Sequence, residues 1–467
     1  MLFNSYEYIL GFLPVVFIIY FLLIRWRFVV FSKAWLALSS LFFYSWWNIS
    51  YLPLLLGSIL FNYTVGLTLG RMGEKTIYKR LILTVGIAGN LALLGYYKYA
   101  DFFINNTNEL FSTAFPLMHL ILPLGISFFT FTQTAFLVDA YRGESTEYNF
   151  LNYILFVTFF PHLIAGPILH HKEMMPQFDL LRNKVISWKN ISQGVFIFSI
   201  GLFKKVVIAD TLAAWATQGF DKLPTLTFSE AWITSLSYTF QLYFDFSGYT
   251  DMAIGGALLF NIRFPLNFNS PYKSLNIQEF WRRWHITLGR FFRNYVYIPL
   301  GGNRKGRLRT YYNLLVIFVL TGFWHGAGWT FILWGSLHGI ATVFHRYWSK
   351  FNIPMPRWLA WFLTFQFVNI TWVFFRAKQW EDAVKVLKGM FGLNGIHVSL
   401  KEITIADAGF ALFFLLFAAV LALFARNSME LTSRFKPNPA IALAASVLFV
   451  YSLLHFYRIS EFLYFNF

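Results

Sequence analysis

Two histidines in this chain stand where general-base chemistry could be done. His285 closes the stretch Trp281-Arg282-Arg283-Trp284-His285, and His325 lies within Phe323-Trp324-His325-Gly326-Ala327-Gly328-Trp329. His325 has apolar sequence on both sides. An ionisable side chain at membrane depth is costly and is by default a functional candidate. Aromatic walls exclude water, and desolvation lowers the pKa of an imidazole and keeps it neutral. A neutral imidazole can take a proton from a hydroxyl, which suits general-base work. The flanking glycines let backbone or ligand approach closely and can break a helix. The other reading, open for both residues, is a hydrogen-bonded histidine of the core.

Between the histidines runs Tyr297-Ile298-Pro299-Leu300-Gly301-Gly302-Asn303-Arg304-Lys305-Gly306. Residues 299–309 combine glycine-freed N–H groups with Arg304, Lys305, Arg307 and Arg309. Such a loop can hold the phosphates of a nucleotide or a carrier arm. Plain positive-inside topology with lipid head groups accounts for the same charges. Asp245 and Asp251 interrupt one long apolar run, and Lys204, Lys205 and Asp210 interrupt another. Intramembrane carboxylates usually face a bundle interior or a wet cavity. For Asp245, a local structural hydrogen bond and a place in the site are equal readings.

Several chemistries are excluded. There is no G-x-S-x-G elbow, no G-x-x-x-x-G-K-[ST] loop and no H-E-x-x-H. His170-His171 and the pair His338 and His345 lack zinc spacing, and packing or interface roles fit the latter pair better. There is no cysteine. Disulfides and a cysteine nucleophile are therefore out, and any thioester sulfur must arrive on the ligand.

The elements that must position these groups are membrane segments. Of the 467 residues, 57% are hydrophobic and only 13% charged, so the solvent is lipid. The net charge of +17 would suggest nucleic acid in a soluble protein. Here the cations fall between apolar runs, which is the pattern of cytoplasmic loops. Apolar runs at 6–24, 34–47, 51–70, 81–97, 117–137, 150–169, 191–216, 230–260, 311–324, 327–345, 357–375, 408–424 and 440–458 predict about eleven to thirteen membrane segments. Arg25, Arg27 and Lys33 follow the first run, which puts the N-terminus outside and argues against a signal peptide. Residues 101–116 read as an Asn-rich outer loop. Asp139 and Arg142 are spaced to pair at a helix end. Beyond residue 169 charge and strict alternation conflict, and a re-entrant pair would reconcile them. Residues 261–310 hold ten Lys/Arg against the single acid Glu279, the strongest inside signal, with the periodicity of interfacial helices. The aromatic C-terminus falls outside. Tyr464 there is either a belt anchor or an acyl relay. Neither an internal repeat nor an inter-domain linker is visible, so residues 1–467 read as one membrane domain with a catalytic core near 120–345.

These stretches carry a resemblance. The motifs are Leu122 to Phe131 with Val138 to Gly143, Phe160 to Pro167, Gly201 to Asp210, Tyr243 to Asp251, Phe280 to His285, Tyr297 to Gly302, and Trp324-His325-Gly326. In this order the chain resembles, over nearly its whole length, the membrane-bound O-acyltransferases of the bacterial alginate and peptidoglycan O-acetyltransferase branch. The resemblance implies an all-α polytopic membrane protein, a helical bundle with re-entrant or interfacial helices and opposed cytoplasmic and extracytoplasmic funnels meeting near His325. It implies that His325 matches the family's invariant histidine and His285 its second conserved polar position. Where some relatives have Ser two residues after His285, this chain has Thr287 and keeps the hydroxyl. On this reading an acyl group, acetyl first of all, passes from a cytosolic thioester to a cell-surface polysaccharide, and the chain resides in the bacterial cytoplasmic membrane. Acetyl-CoA or an acyl carrier is the donor substrate, with no metal and no nucleic acid. An extracytoplasmic esterase-like partner of the SGNH type completes transfer. Donor-binding or tunnel residues would be Trp281, Arg282, Arg283, Trp284, Trp324, Arg304 and Lys305, with Asp245 and Asn267 as supporting polar groups. Two rivals stay open: D-alanyl transfer to teichoic acid from a carrier protein, and a polysaccharide or lipid transporter, which the missing repeat disfavours.

Overall fold

In lipid every backbone polar group needs an internal partner, which leaves the helix as the default element for this composition. The computed structural model describes residues 1–73, 76–145, 147, 149–164, 166–396, 405–456 and 462–463. Among them the regular structure is helical, with no strand. By length and hydropathy Glu7–Arg25, Ile49–Arg71, Ile77–Phe111 and Arg357–Arg376 can each cross a membrane, and Val29–Ser45, Gly409–Leu423 and Pro439–Leu454 are shorter apolar helices. Large apolar side chains such as Phe31, Leu38, Ile49 and Val447 are exposed, as a lipid-facing surface requires. The runs read at 311–324, 327–345, 357–375 and 408–424 coincide with the helices Arg307–His325, Trp329–Trp348, Arg357–Arg376 and Ile405–Leu423.

The chain gathers into two compact units. The first comprises residues 1–199, 249–265 and 437–445. Its helices are joined by buried polar pairs: Asn62 and Asn90 exchange amide hydrogen bonds of 3.0 and 2.6 Å, and Gln133 donates to Ser58 Oγ at 2.9 Å. Two expectations need correction here. Residues 101–111 of the expected loop 101–116 are not a loop, because Ala100–Phe111 is helical. Its Asn106 and Thr107 side chains bond the carbonyls of Phe102 and Phe103, so residues read as loop formers satisfy themselves on the helix. The run 117–137 becomes helical only from Ile126. Pro116 and Pro123 disfavour helix at the residues before them, and Asp101 accepts instead from the N–H groups of Met118 and His119 at 2.7 and 3.0 Å. Asp139 lies 3.6 Å from His170.

The second unit comprises residues 200–248, 266–436 and 446–467. It holds both candidate histidines. Its central feature is the hairpin of Arg307–His325 and Trp329–Trp348, which cross at glycine. A Cβ on Gly322 would land on the carbonyl oxygen of Phe331, and one on Gly335 on that of Phe318. Only glycine allows this approach. Arg307–His325 stops where Gly326 turns extended, with φ −159°.

Candidate active site

His285 owes its place to a broken pair of short helices. Ile277–Arg283 opens on Asn276, whose side chain accepts the Glu279 N–H at 2.8 Å, a standard N-cap. Arg283 then closes on Glu279 one turn back, at 2.8 and 3.0 Å. Trp284 is extended and His285 takes a left-handed conformation, φ +43°. Ile286–Phe292 follows. A left-handed non-glycine residue is uncommon and strained, and such residues gather at functional sites.

The strand-like segment after residue 266 holds this break in place. Asn269 N–H bonds the Arg283 carbonyl at 2.9 Å, and Ile286 N–H bonds the Asn267 carbonyl at 3.0 Å. The Asn267 side chain fixes the imidazole. Its Oδ1 accepts from Thr287 N–H at 3.2 Å and from Thr287 Oγ1 at 2.9 Å, and lies 3.2 Å from His285 Nδ1. A backbone N–H can only donate, so that amide atom is the oxygen. Nδ1 of His285 is therefore the protonated nitrogen, and Nε2 carries the basic lone pair. Neither seven-residue helix flanking His285 is long enough to span a membrane. Complete burial pushes the pKa of this imidazole down to about 3, so it is neutral at physiological pH.

His325 ends its helix and is 1% exposed. Trp324, Trp334 and Phe375 enclose its ring, with centroids at 4.8, 5.3 and 5.1 Å. Trp324 also meets His285, at 6.3 Å. The two histidines, forty residues apart in sequence, thus share one indole. Trp329, read as part of the wall, is 62% exposed. Trp334 and Phe375 of the wall arrive from the following two helices.

A cavity of about 1340 Å³ lies beside this centre. Trp281, Arg282, Arg304 and Lys305 line it, as do Arg290, Arg293 and Arg346, and so do Phe318 and Thr321 of the helix that ends at His325. No carboxylate is among its lining residues. A low-dielectric cleft lined by one sign of charge concentrates anions. The loop that carries Arg304 and Lys305 is tied to the same helix: Asn313, fully buried, donates to the Gly302 carbonyl at 2.9 Å. Gly301 and Gly302 have φ of +101° and +55°, a conformation that favours glycine.

Other residues read as donor-site candidates lie differently. Arg283 is committed to Glu279 and the Asn269 carbonyl. Trp284 is fully buried against Phe268 and Trp372, at 5.1 Å from each, and does not line the cavity. Arg307 and Arg309 are exposed outside it. Asp245 belongs to a buried ion cluster: Lys205 Nζ lies 2.7 Å from both Asp245 and Asp210, and Asp245 also accepts the Leu463 N–H at 3.1 Å. Tyr464 lies outside the described residues. Among those described, no group of three or more His, Asp or Glu side chains could hold a metal. Arg290 and Arg293 were visible within the basic stretch 261–310. Arg346, Trp334 and Phe375 carried no local signal.

A helical membrane protein with two buried imidazoles around an indole, next to an anion-attracting cavity, has the groups for acyl transfer to a hydroxyl. The chain belongs to MBOAT, the membrane-bound O-acyltransferase family, which matches residues 40–378. It is an acyltransferase and a multi-pass membrane protein, which sets the transporter reading aside. Over 428 residues it is 55% identical to a peptidoglycan O-acetyltransferase of Helicobacter pylori, covering 85% of this chain and 81% of the relative. Over 406 residues it is 42% identical to a probable alginate O-acetylase of Pseudomonas aeruginosa, covering 85% and 76%. A teichoic acid D-alanyltransferase of Bacillus subtilis is 31% identical over 284 residues, 56% of this chain and 71% of that one.

Proposed function

We propose that the chain moves an acetyl group from a cytosolic thioester, acetyl-CoA, across the bacterial cytoplasmic membrane for O-acetylation of a cell-surface polysaccharide. One observation supports this most directly. The helix Arg307–His325 lines the cation-walled cavity at Phe318 and Thr321 and ends at His325, so an anionic donor bound there points its acyl end toward the imidazole.

On this reading Arg282, Arg290, Arg293, Arg304, Lys305 and Arg346 hold the phosphates of the donor. His325 takes the proton of the attacking hydroxyl. The hydroxyl oxygen bonds the acyl carbon, the carbon–sulfur bond breaks, and the imidazolium returns its proton to the departing thiolate. His285, its tautomer fixed by Asn267, positions or polarises a reacting group through Nε2. Tyr464 is proposed as the hydroxyl that carries the acyl group onward to an esterase-like extracytoplasmic partner. Peptidoglycan is the first acceptor to test, because the relative at 55% identity is named for it, and alginate is the second.

The test is transfer in sealed vesicles holding the protein in one orientation. Radiolabelled acetyl-CoA is supplied to the cytosolic face, with polysaccharide and the partner on the other. Labelled O-acetyl ester on the acceptor, absent with His325→Ala, is the expected result. Transfer from a D-alanyl carrier-protein thioester, with none from acetyl-CoA, would overturn the proposal in favour of D-alanylation.

A further inference from the structure

His338 is buried in the second unit and does not line the cavity. Its spacing from His345 suggested packing. Its hydrogen bonds define a direction instead. The Trp281 indole Nε1–H lies 3.2 Å from His338 Nδ1, and an indole can only donate. Nδ1 therefore holds a lone pair and the ring proton sits on Nε2. Nε2 lies 3.0 Å from Thr371 Oγ1, and Thr371 donates its own proton to the Val368 carbonyl at 2.9 Å. A carbonyl can only accept, so both ends force the same order: Trp281 to His338, His338 to Thr371, Thr371 to Val368.

Both ends also matter in space. Trp281 is half-buried and lines the cation-walled cavity. The His338 ring lies 5.0 Å from Trp334, whose indole is 5.3 Å from the His325 ring. The helix Trp329–Trp348 thus carries one imidazole that braces a cavity wall and the wall of the catalytic histidine.

We propose that His338 and Thr371 are positioning residues: their one-way hydrogen-bond relay holds the Trp281 indole against the cavity and so sets affinity for the thioester donor. This rests on the cavity being the donor site. The relay acts on Trp281 and has no contact with the reacting atoms, so its loss shows in KM for the donor more than in kcat.

Thr371→Val is the decisive variant, because it keeps shape and packing and removes only the hydroxyl. Donor KM should rise about 2- to 10-fold, the weight of one hydrogen bond, with kcat within about 2-fold. Thr371→Ser should restore wild-type KM. His338→Gln, which keeps an acceptor and a donor on one planar group, should retain more donor affinity than His338→Leu. Direct binding of CoA to the purified full-length chain separates the two levels. CoA bound equally by wild type and Thr371→Val would overturn the relay while leaving the cavity reading intact. No CoA binding by wild type would overturn both.

Discussion

At the scale of the residue, the two candidate imidazoles have different surroundings. His325 is boxed by aromatic rings, whereas His285 is clamped by the amide of Asn267. His325→Ala should cut acyl transfer by about two to four orders of magnitude, the usual cost of a lost general base, with membrane insertion and thermal unfolding unchanged. His285→Ala should cost less. Polymer acetylation measured at equal expression checks both, and a reversed order would exchange their roles. Asn267 offers a sharper probe. Asn267→Asp keeps an acceptor for Nδ1–H and adds a negative charge beside it. An adjacent carboxylate favours imidazolium, so the His285 pKa should rise from about 3. Activity that depends on the neutral ring should then be lost as pH falls through that higher value. A pH–rate profile in Asn267→Asp that matches wild type at its acid end would show that His285 does not need to be neutral.

At the scale of the element, the relevant fact is where regular helix gives way. The π-helical turn Lys204–Ala209 carries Lys205, which is 1% exposed and bridges Asp210 and Asp245. Asp245 in turn holds the Leu463 N–H, and Phe462 packs 5.6 Å from Phe246, whose ring is 4.8 Å from His285. Single-turn π-bulges recur at functional sites. Lys205→Met removes the cation that lies between these two buried carboxylates. Breaking a buried pair from one side costs roughly 3–5 kcal/mol, so the unfolding temperature in detergent should fall well below wild type. An unchanged unfolding temperature would mean that the carboxylates are hydrated or protonated.

At the scale of the whole molecule, the cavity is where distant parts of the sequence meet. Its cations come from Arg282 through Arg346, and no single loop makes it. Converting Arg290, Arg293 and Arg346 together to Gln should raise the donor KM and weaken its dependence on ionic strength, since screening acts on the charges removed. Steady-state kinetics across a salt series would test this. Donor KM and salt dependence equal to wild type, with orientation verified, would assign these cations to topology and lipid.

Composition alone decided the solvent: a chain this apolar and this poor in charge folds against lipid, and its backbone must then be helical. Local sequence marked His285, His325 and the basic stretch between them, because glycine, aromatic and cationic residues cluster there along the chain. It mistook residues 101–111 for a loop, since Asn and Thr side chains can cap their own helix as readily as break it. What lay beyond it was every partnership between segments. Trp334 and Phe375 pack against His325, Lys205 answers Asp245, Asn267 fixes the tautomer of His285, and His338 holds Trp281. Each depends on helices crossing where two glycines let backbones touch, or on a side chain meeting another that is distant in sequence. Periodicity records which face of a helix is apolar, but the neighbour that face meets is chosen by tertiary packing.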